Sequence, residues 1–245
     1  MSRVRQIAGV VQIDAALRTG EEVRLVLVAE DARAEDVRGL IARAEESGVT
    51  VRTATRNVIA RLSAPRPAED ALALLGRDPE AELPASLARG GAFWLLVGVA
   101  YPGNVGMVVR TAEVSGADAI AIDGSFDHEA KRAALRASMR ADKFMPVYWR
   151  RAGEILDAAR EAGAGHRVIA LDESAATTHF AADLRGPRIF VVGGENGGIP
   201  RDVLARCDER VCIPMAGFIP CYNLQAAVSA VAVERLRQAA ALPKR

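Results

Sequence analysis

Three segments of this chain combine residue types and spacings that could do chemistry. The first, YPGNVGMVVRTA at 101–112, opens on a Pro-Gly turn, and Asn104 is placed to cap the helix behind it. Arg110 then falls on an otherwise apolar helical stretch (Val105, Met107, Val108, Val109), where a charge is costly to bury without a partner. It reads either as half of a structural ion pair or as a catalytic group. The second segment, FVVGGENGGIP at 190–200, sets four glycines around one carboxylate, Glu195, between an apolar run and Pro200 at a helix start. That describes a backbone brought close to a ligand. A nucleotide loop is the generic reading, although the pattern is neither G-x-G-x-x-G nor a Walker sequence. The third, IPMAGFIPCYNLQ at 213–225, leads into the last helix, and Asn223 could simply cap it. Cys221 has no histidine near it in sequence and reads as a small buried residue, not a nucleophile. Three scattered histidines (His128, His166, His179) and three cysteines without a C-x-x-C pair give no expected metal site and no disulfide framework.

The elements that must position these segments follow a simple alternation. From residue 93 onward, strand candidates at 93–99, 119–122, 144–149, 167–171, 188–192 and 210–213 alternate with helical stretches, and a helix over 223–240 ends the pattern. This predicts an α/β fold with a mainly parallel sheet and helices on both faces. Each segment follows a strand, and in such sheets ligands sit at the carboxyl ends of strands. Residues 1–62 read as a separate small α/β unit: helix 10–17, strand 22–29, helix 34–47, strand 49–53 and helical turns at 56–62. The stretch 63–92, with Pro65, Pro67, Pro79, Pro84 and a Gly-Gly at 90–91, reads as a linker holding a short helix, which leaves 93–245 as the second domain.

Composition narrows the function classes. Of the 245 residues 50% are hydrophobic and 26% charged, as in soluble globular proteins, while only 4% are aromatic, which argues against single-strand binding by rows of stacked rings. The net charge of +1 does not announce a nucleic-acid binder, but a local basic face fits inside a neutral total. The best candidate runs through Lys131, Arg132, Arg136, Arg140, Lys143, Arg150 and Arg151, which also reads as a solvated helix face. The opening residues lack a long apolar core, and no eighteen-residue apolar stretch occurs, so the expected location is the cytoplasm.

Together the three segments resemble the motifs of the SpoU RNA 2′-O-ribose methyltransferases, in the SPOUT superfamily. Pro102, Asn104, Gly106, Arg110, Thr111 and Ala112 match the first motif; Gly193, Glu195, Gly198 and Ile199 the second; Ile213, Pro214, Met215, Gly217 and Asn223 the third. Residues 10–62 resemble, more weakly, the small RNA-anchoring domain of such proteins, and 136–146 a stretch before the third strand. Tyr101 stands where the family usually has an aspartate or asparagine, Arg140 where glycine is usual, and Cys221 and Gln225 where serines are common. The resemblance implies S-adenosylmethionine as cofactor, a C-terminal trefoil knot, a homodimer and no metal. It further implies that Asn104, Arg110, Glu195 and Asn223 serve the reaction, Arg110 acting on the ribose hydroxyl. Val192, Gly193, Gly194, Gly198, Ile213, Met215, Gly217, Asn223 and Leu224 would hold the cofactor, and Lys131, Arg132, Arg136 and Arg140 the RNA. Structured ribosomal RNA is favoured over transfer RNA because of the anchoring domain; a binding-only relative of the fold is the other alternative. A Rossmann-type enzyme would need a glycine fingerprint after the first strand, which is missing.

Overall fold

The computed structural model describes residues 6–63, 67–194, 197–219 and 221–240, which form two compact units, up to residue 78 and from 79 onward. The first unit runs β1 (Gln6–Ala8), α1 (Val10–Arg18), β2 (Val23–Ala29), α2 (Ala34–Glu46), β3 (Thr50–Ala54), α3 (Arg56–Leu62) and β4 (Ala71–Leu75). Its sheet has the order β1-β4-β2-β3, with β2 and β3 parallel and β4 antiparallel to both its neighbours. Ile13 and Ala16 of α1 and Val37, Leu40 and Ala44 of α2 pack on Val26 and Val28 of β2 and Ala71 and Ala73 of β4. Thr55 caps α3 by accepting a hydrogen bond from the Val58 amide at 3.4 Å. The stretch 71–75 is therefore no linker. ALALL is a paired strand inside the first sheet, and the prolines that suggested a linker flank it in sequence.

The second unit contains α4 (Leu83–Ala88), β5 (Ala92–Val97), α5 (Pro102–Val114), β6 (Ala119–Asp123), α6 (His128–Ala137), β7 (Val147–Tyr148), α7 (Ala152–Glu161), β8 (Arg167–Leu171), β9 (Arg188–Gly193), α8 (Arg201–Leu204), β10 (Glu209–Val211) and α9 (Leu224–Ala240). Its six strands are all parallel, in the order β10-β8-β9-β5-β6-β7. Burial on both faces explains why β5 and β9 are continuous apolar runs. On one face Trp94, Leu96, Ile120, Ile122, Phe190 and Val192 meet Val105, Val108, Val109 and Ala112 of α5, Ala134 of α6 and Leu224, Val228 and Val231 of α9. On the other, Phe93, Leu95, Val97, Ala121, Ile189 and Val191 meet Leu83 and Leu87 of α4 and Ile155 and Leu156 of α7. The expected α/β fold with helices on both faces is thus observed. The predicted strand at 144–149 is much shorter, because Ala141–Lys143 form a 3-10 turn and only Val147 and Tyr148 pair with β6. No helix among the described residues is long and apolar enough to cross a membrane.

Candidate active site

The sheet order reverses at β9 and β5, and the loops after these two strands meet above the reversal. The Gly194 amide donates to the Val97 carbonyl at 2.7 Å, and a Cβ added at Gly194 would lie 2.0 Å from the Gly98 carbonyl oxygen. A Cβ at Gly193 would lie 2.1 Å from the Gly198 carbonyl carbon, while Gly198 itself has φ +60°. The first two glycines are therefore needed because two stretches of backbone touch there, and Gly198 because the chain turns left-handed. The sequence suggests a backbone brought close to a ligand; at Gly193 and Gly194 the chain itself already occupies the space a Cβ would take.

Beside this reversal lies a cavity of about 290 Å³, lined by Leu171 from the end of β8, Val192, Gly193, Gly194 and Gly198, Val211 and Ile213 from the β10 exit, Met215, Cys221, Tyr222, and Leu224 and Ala227 of α9. Seven residues singled out in the sequence (Val192, Gly193, Gly194, Gly198, Ile213, Met215, Leu224) converge here. Gly217 and Asn223 are exposed and do not line it. Asn223 instead uses its side-chain oxygen to accept from the Gln225 amide at 2.9 Å, a capping contact at the start of α9. Asp172 and Glu173 also line the cavity and were not anticipated. Their signal was their place directly behind the strand RVIAL, at the same carboxyl edge. Asp172 accepts from the Ser174 amide and hydroxyl at 2.9 and 2.8 Å and lies 3.7 Å from Arg210; no interaction partner of Glu173 is found among the described residues. The described lining thus holds two carboxylates and no cation, around an otherwise apolar wall. Glu195 lies outside the described residues.

Arg110 does not share this cavity. The helix α5 starts at Pro102, with Tyr101 as its N-cap and no side-chain capping bond, so Asn104 sits inside the first turn and is not the predicted cap. Gly106 packs against α6: a Cβ there would meet the Ala134 carbonyl oxygen at 2.3 Å and Ala137 Cβ at 2.6 Å. One turn further on, Arg110 is exposed and has no hydrogen bond or ion pair among the described residues. It lines a second groove of about 330 Å³ with Met107, Thr111 and Val114 of α5 and Gln225, Ser229, Val233 and Leu236 of α9. Gln225 spans the two helices, donating to Ser229 at 2.8 Å and to Thr111 at 3.5 Å. Further along α9, the Glu234 carboxylate accepts from Arg237 at 2.8 and 2.7 Å and from Gln238 at 2.9 Å. These bonds, that to Arg237 foremost, hold its pKa down at about 2.

The predicted basic residues lie on α6 and the turn behind it. The Lys131 ammonium sits 5.4 Å from the centre of the Trp149 ring. Arg132, Arg136 and Arg140 are exposed, and none has an ion-pair partner among the described residues. Met139 and Arg140 carry φ +56° and +66°, a left-handed conformation that disfavours any side chain by about 1–2 kcal/mol per residue. No group of three His, Cys, Asp or Glu side chains able to hold a metal occurs among the described residues. Burial pushes the Cys207 thiol up to about 11, which removes it as a nucleophile at neutral pH.

Motif content, parallel sheet and cleft agree with one class of protein. Residues 92–233 match the SpoU rRNA Methylase family, and the chain belongs to it. Among its relatives, the 23S rRNA (guanosine-2'-O-)-methyltransferase RlmB of Pseudomonas syringae pv. tomato is 28% identical over 260 residues, spanning the whole of both chains. The 23S rRNA (uridine(2479)-2'-O)-methyltransferase of Streptomyces viridochromogenes is 30% identical over 141 residues, 56% of this chain and 49% of that one, so this match spans only about half the relative's length. In fold, the chain is similar to the SpoU methyltransferase AviRb from Streptomyces viridochromogenes, whose crystal structure was solved in complex with the cofactor AdoMet: TM-score 0.60, 23% identity, covering 97% of this chain and 91% of that one.

Proposed function

We propose that this chain is an S-adenosylmethionine-dependent 2′-O-ribose methyltransferase acting on ribosomal RNA in the cytoplasm, as a homodimer with a knotted C-terminal unit. The observation that carries the reading is the cavity at the ends of β8, β9 and β10, apolar except for carboxylates and floored by backbone, in a chain of this family. Such a lining suits adenosine, whose edges pair with backbone groups, and a cationic sulfonium, which the Glu173 carboxylate favours, Asp172 being already paired with Arg210. S-adenosylmethionine supplies an activated methyl group and a neutral thioether leaving group, so no metal is required. Val192, Gly193, Gly194, Gly198, Ile213, Met215 and Leu224 hold it in this reading.

A ribose 2′-hydroxyl is a poor nucleophile, so the protein's task is to position it and give its proton a route. Arg110 is exposed on α5, without an ion-pair partner among the described residues; its planar fork orients the hydroxyl and the neighbouring phosphate and offsets developing charge. An arginine hardly ever deprotonates, so it positions the hydroxyl, and the proton leaves to substrate phosphate or solvent. Asn104 and Glu195 support the ribose or Arg110, and Asn223 fixes the start of α9 where the two concavities approach one another in sequence. Because Arg110 and the cavity belong to separate concavities of one chain, the reading requires a second subunit to join them. The groove between α5 and α9, with exposed Met107, Val114, Val233 and Leu236, is the apolar face suited to that contact. The first unit serves as the RNA anchor in this reading.

Calorimetry tests the cofactor first: micromolar affinity for S-adenosylmethionine or S-adenosylhomocysteine, roughly −8 kcal/mol, is expected. Absence of binding at millimolar ligand sinks the proposal. Mapping 2′-O-methylation in ribosomal and transfer RNA from a deletion strain then identifies the target; loss of a tRNA methyl group alone replaces the ribosomal reading.

A further inference from the structure

Among the described residues only two that are not glycine adopt positive φ, and they are consecutive: Met139 and Arg140. The backbone bonds that hold this turn are the Met139 amide to the Arg136 carbonyl at 3.2 Å, Ala141 to Ser138 at 3.2 Å and Lys143 to Arg140 at 3.0 Å. Ser138, fully buried, adds its hydroxyl to the Leu135 carbonyl at 2.7 Å. Glycines at 139 and 140 would form every one of these bonds without the strain. Nor does packing account for the side chains: Met139 is 71% exposed and Arg140 is exposed without an ion-pair partner among the described residues. Among the described residues neither side chain has a polar partner, yet both are held exposed in a disfavoured conformation. That combination points to a ligand.

Position and charge identify its chemistry. The Ser138 amide would lie 2.9 Å from a Cβ on Gly106, so the turn is braced against α5 one helical turn before Arg110. Arg132 and Arg136 lie on the helix that leads into the turn and Arg140 follows Met139; all three are exposed, with no ion-pair partner among the described residues. An exposed apolar side chain in a segment carrying three exposed guanidinium groups fits a polyanion that also offers flat apolar faces, which is a nucleic acid with an accessible base. We infer that the Met139–Arg140 knuckle contacts RNA beside the nucleotide presented to Arg110, Met139 packing on the face of a neighbouring base and Arg136 and Arg140 holding its flanking phosphates. This inference rests on the RNA methyltransferase reading and adds to it a specificity-determining contact.

The test compares full-length wild type with Met139→Gly, Met139→Phe and Arg140→Gly, reading melting temperature, S-adenosylmethionine affinity, oligomeric state, and both binding and methylation of deproteinised 23S rRNA. Both glycine variants should melt about 2–4 °C higher, since strain is released. They should bind the cofactor and self-associate like wild type, yet show RNA affinity about tenfold weaker and KM for RNA raised to match. Met139→Phe should retain wild-type RNA affinity within about threefold, because a ring stacks at least as well as a thioether. Glycine variants that are stabilised but bind and methylate RNA like wild type overturn the inference, as does Met139→Phe failing as badly as Met139→Gly. A lower melting temperature or an altered oligomeric state in Met139→Gly also overturns it, by assigning the side chain to the fold or to a subunit contact. If wild type binds RNA but transfers no methyl group, the methyltransferase reading falls, and the knuckle is judged on affinity alone.

Discussion

At the scale of single residues, Arg110 is defined by what surrounds it. It stands exposed on a helix whose inner face is wholly apolar, and no carboxylate among the described residues neutralises it. Arg110→Ala should therefore leave the melting temperature and cofactor affinity near wild type while methyl transfer falls about a hundredfold or more, about 3 kcal/mol. Arg110→Lys should not rescue, since a point charge lacks the planar fork. A well-folded alanine variant with near-normal turnover removes Arg110 from the mechanism. The glycine loop gives a contrast within five residues. Gly194→Ala would drive a methyl group into the Gly98 backbone, so it should lower stability by roughly 1–3 kcal/mol before any ligand is added. Gly198→Ala has open space and a φ of +60°, so its penalty should be about 1 kcal/mol, read as a modest drop in thermal stability. Equal losses for the two variants would contradict the geometry.

Among the elements, α9 joins both concavities and is held along its length by polar contacts. Folding holds the Glu234 carboxyl below its ordinary value of 4.5, at about 2. The associated stability is present above about pH 4.5 and is lost as the pH falls from there toward 2. Over that window the melting temperature of wild type should fall more steeply than that of Glu234→Gln; parallel curves would show that the carboxylate contributes nothing. This element was readable in the sequence, since 223–240 differs from α9 by one residue. So were β8, β9 and most of β5, because strands buried on both faces are written as uninterrupted apolar runs. β1 and β4 were not readable: each is short, and the prolines around ALALL imitate a linker when pairing partners are invisible. At the site, the motif spacing brought out seven cavity-lining residues, and the cap reading of Asn223 holds, but not that Asn104 lies inside its helix. Capping depends on where a helix begins, which is settled by packing as much as by residue type. That Arg110 faces a different concavity from the glycine loop is a property of helix rotation, and no local pattern records it.

At the scale of the whole molecule, the division of the proposed machinery between two concavities makes assembly part of the activity. Val233→Glu, which places a charge on the exposed ridge of the α5/α9 groove, should give monomers by ultracentrifugation that bind S-adenosylmethionine yet do not methylate RNA. Monomers with full activity would end the two-subunit reading. The pairing of β5 with β9 has a consequence for biosynthesis. Ala92 pairs with Arg188, a separation of 96 positions along the chain. A ribosome adding about 5–20 residues per second needs about 5–20 s to cover that distance. Meanwhile β5 has β6 on one side only, and its other edge, six buried apolar positions in the finished protein, has no neighbour. Nascent chains, and truncations ending between residues 123 and 188, should accordingly depend on chaperones that shield an open strand edge, and their soluble yield should rise sharply once β9 is included.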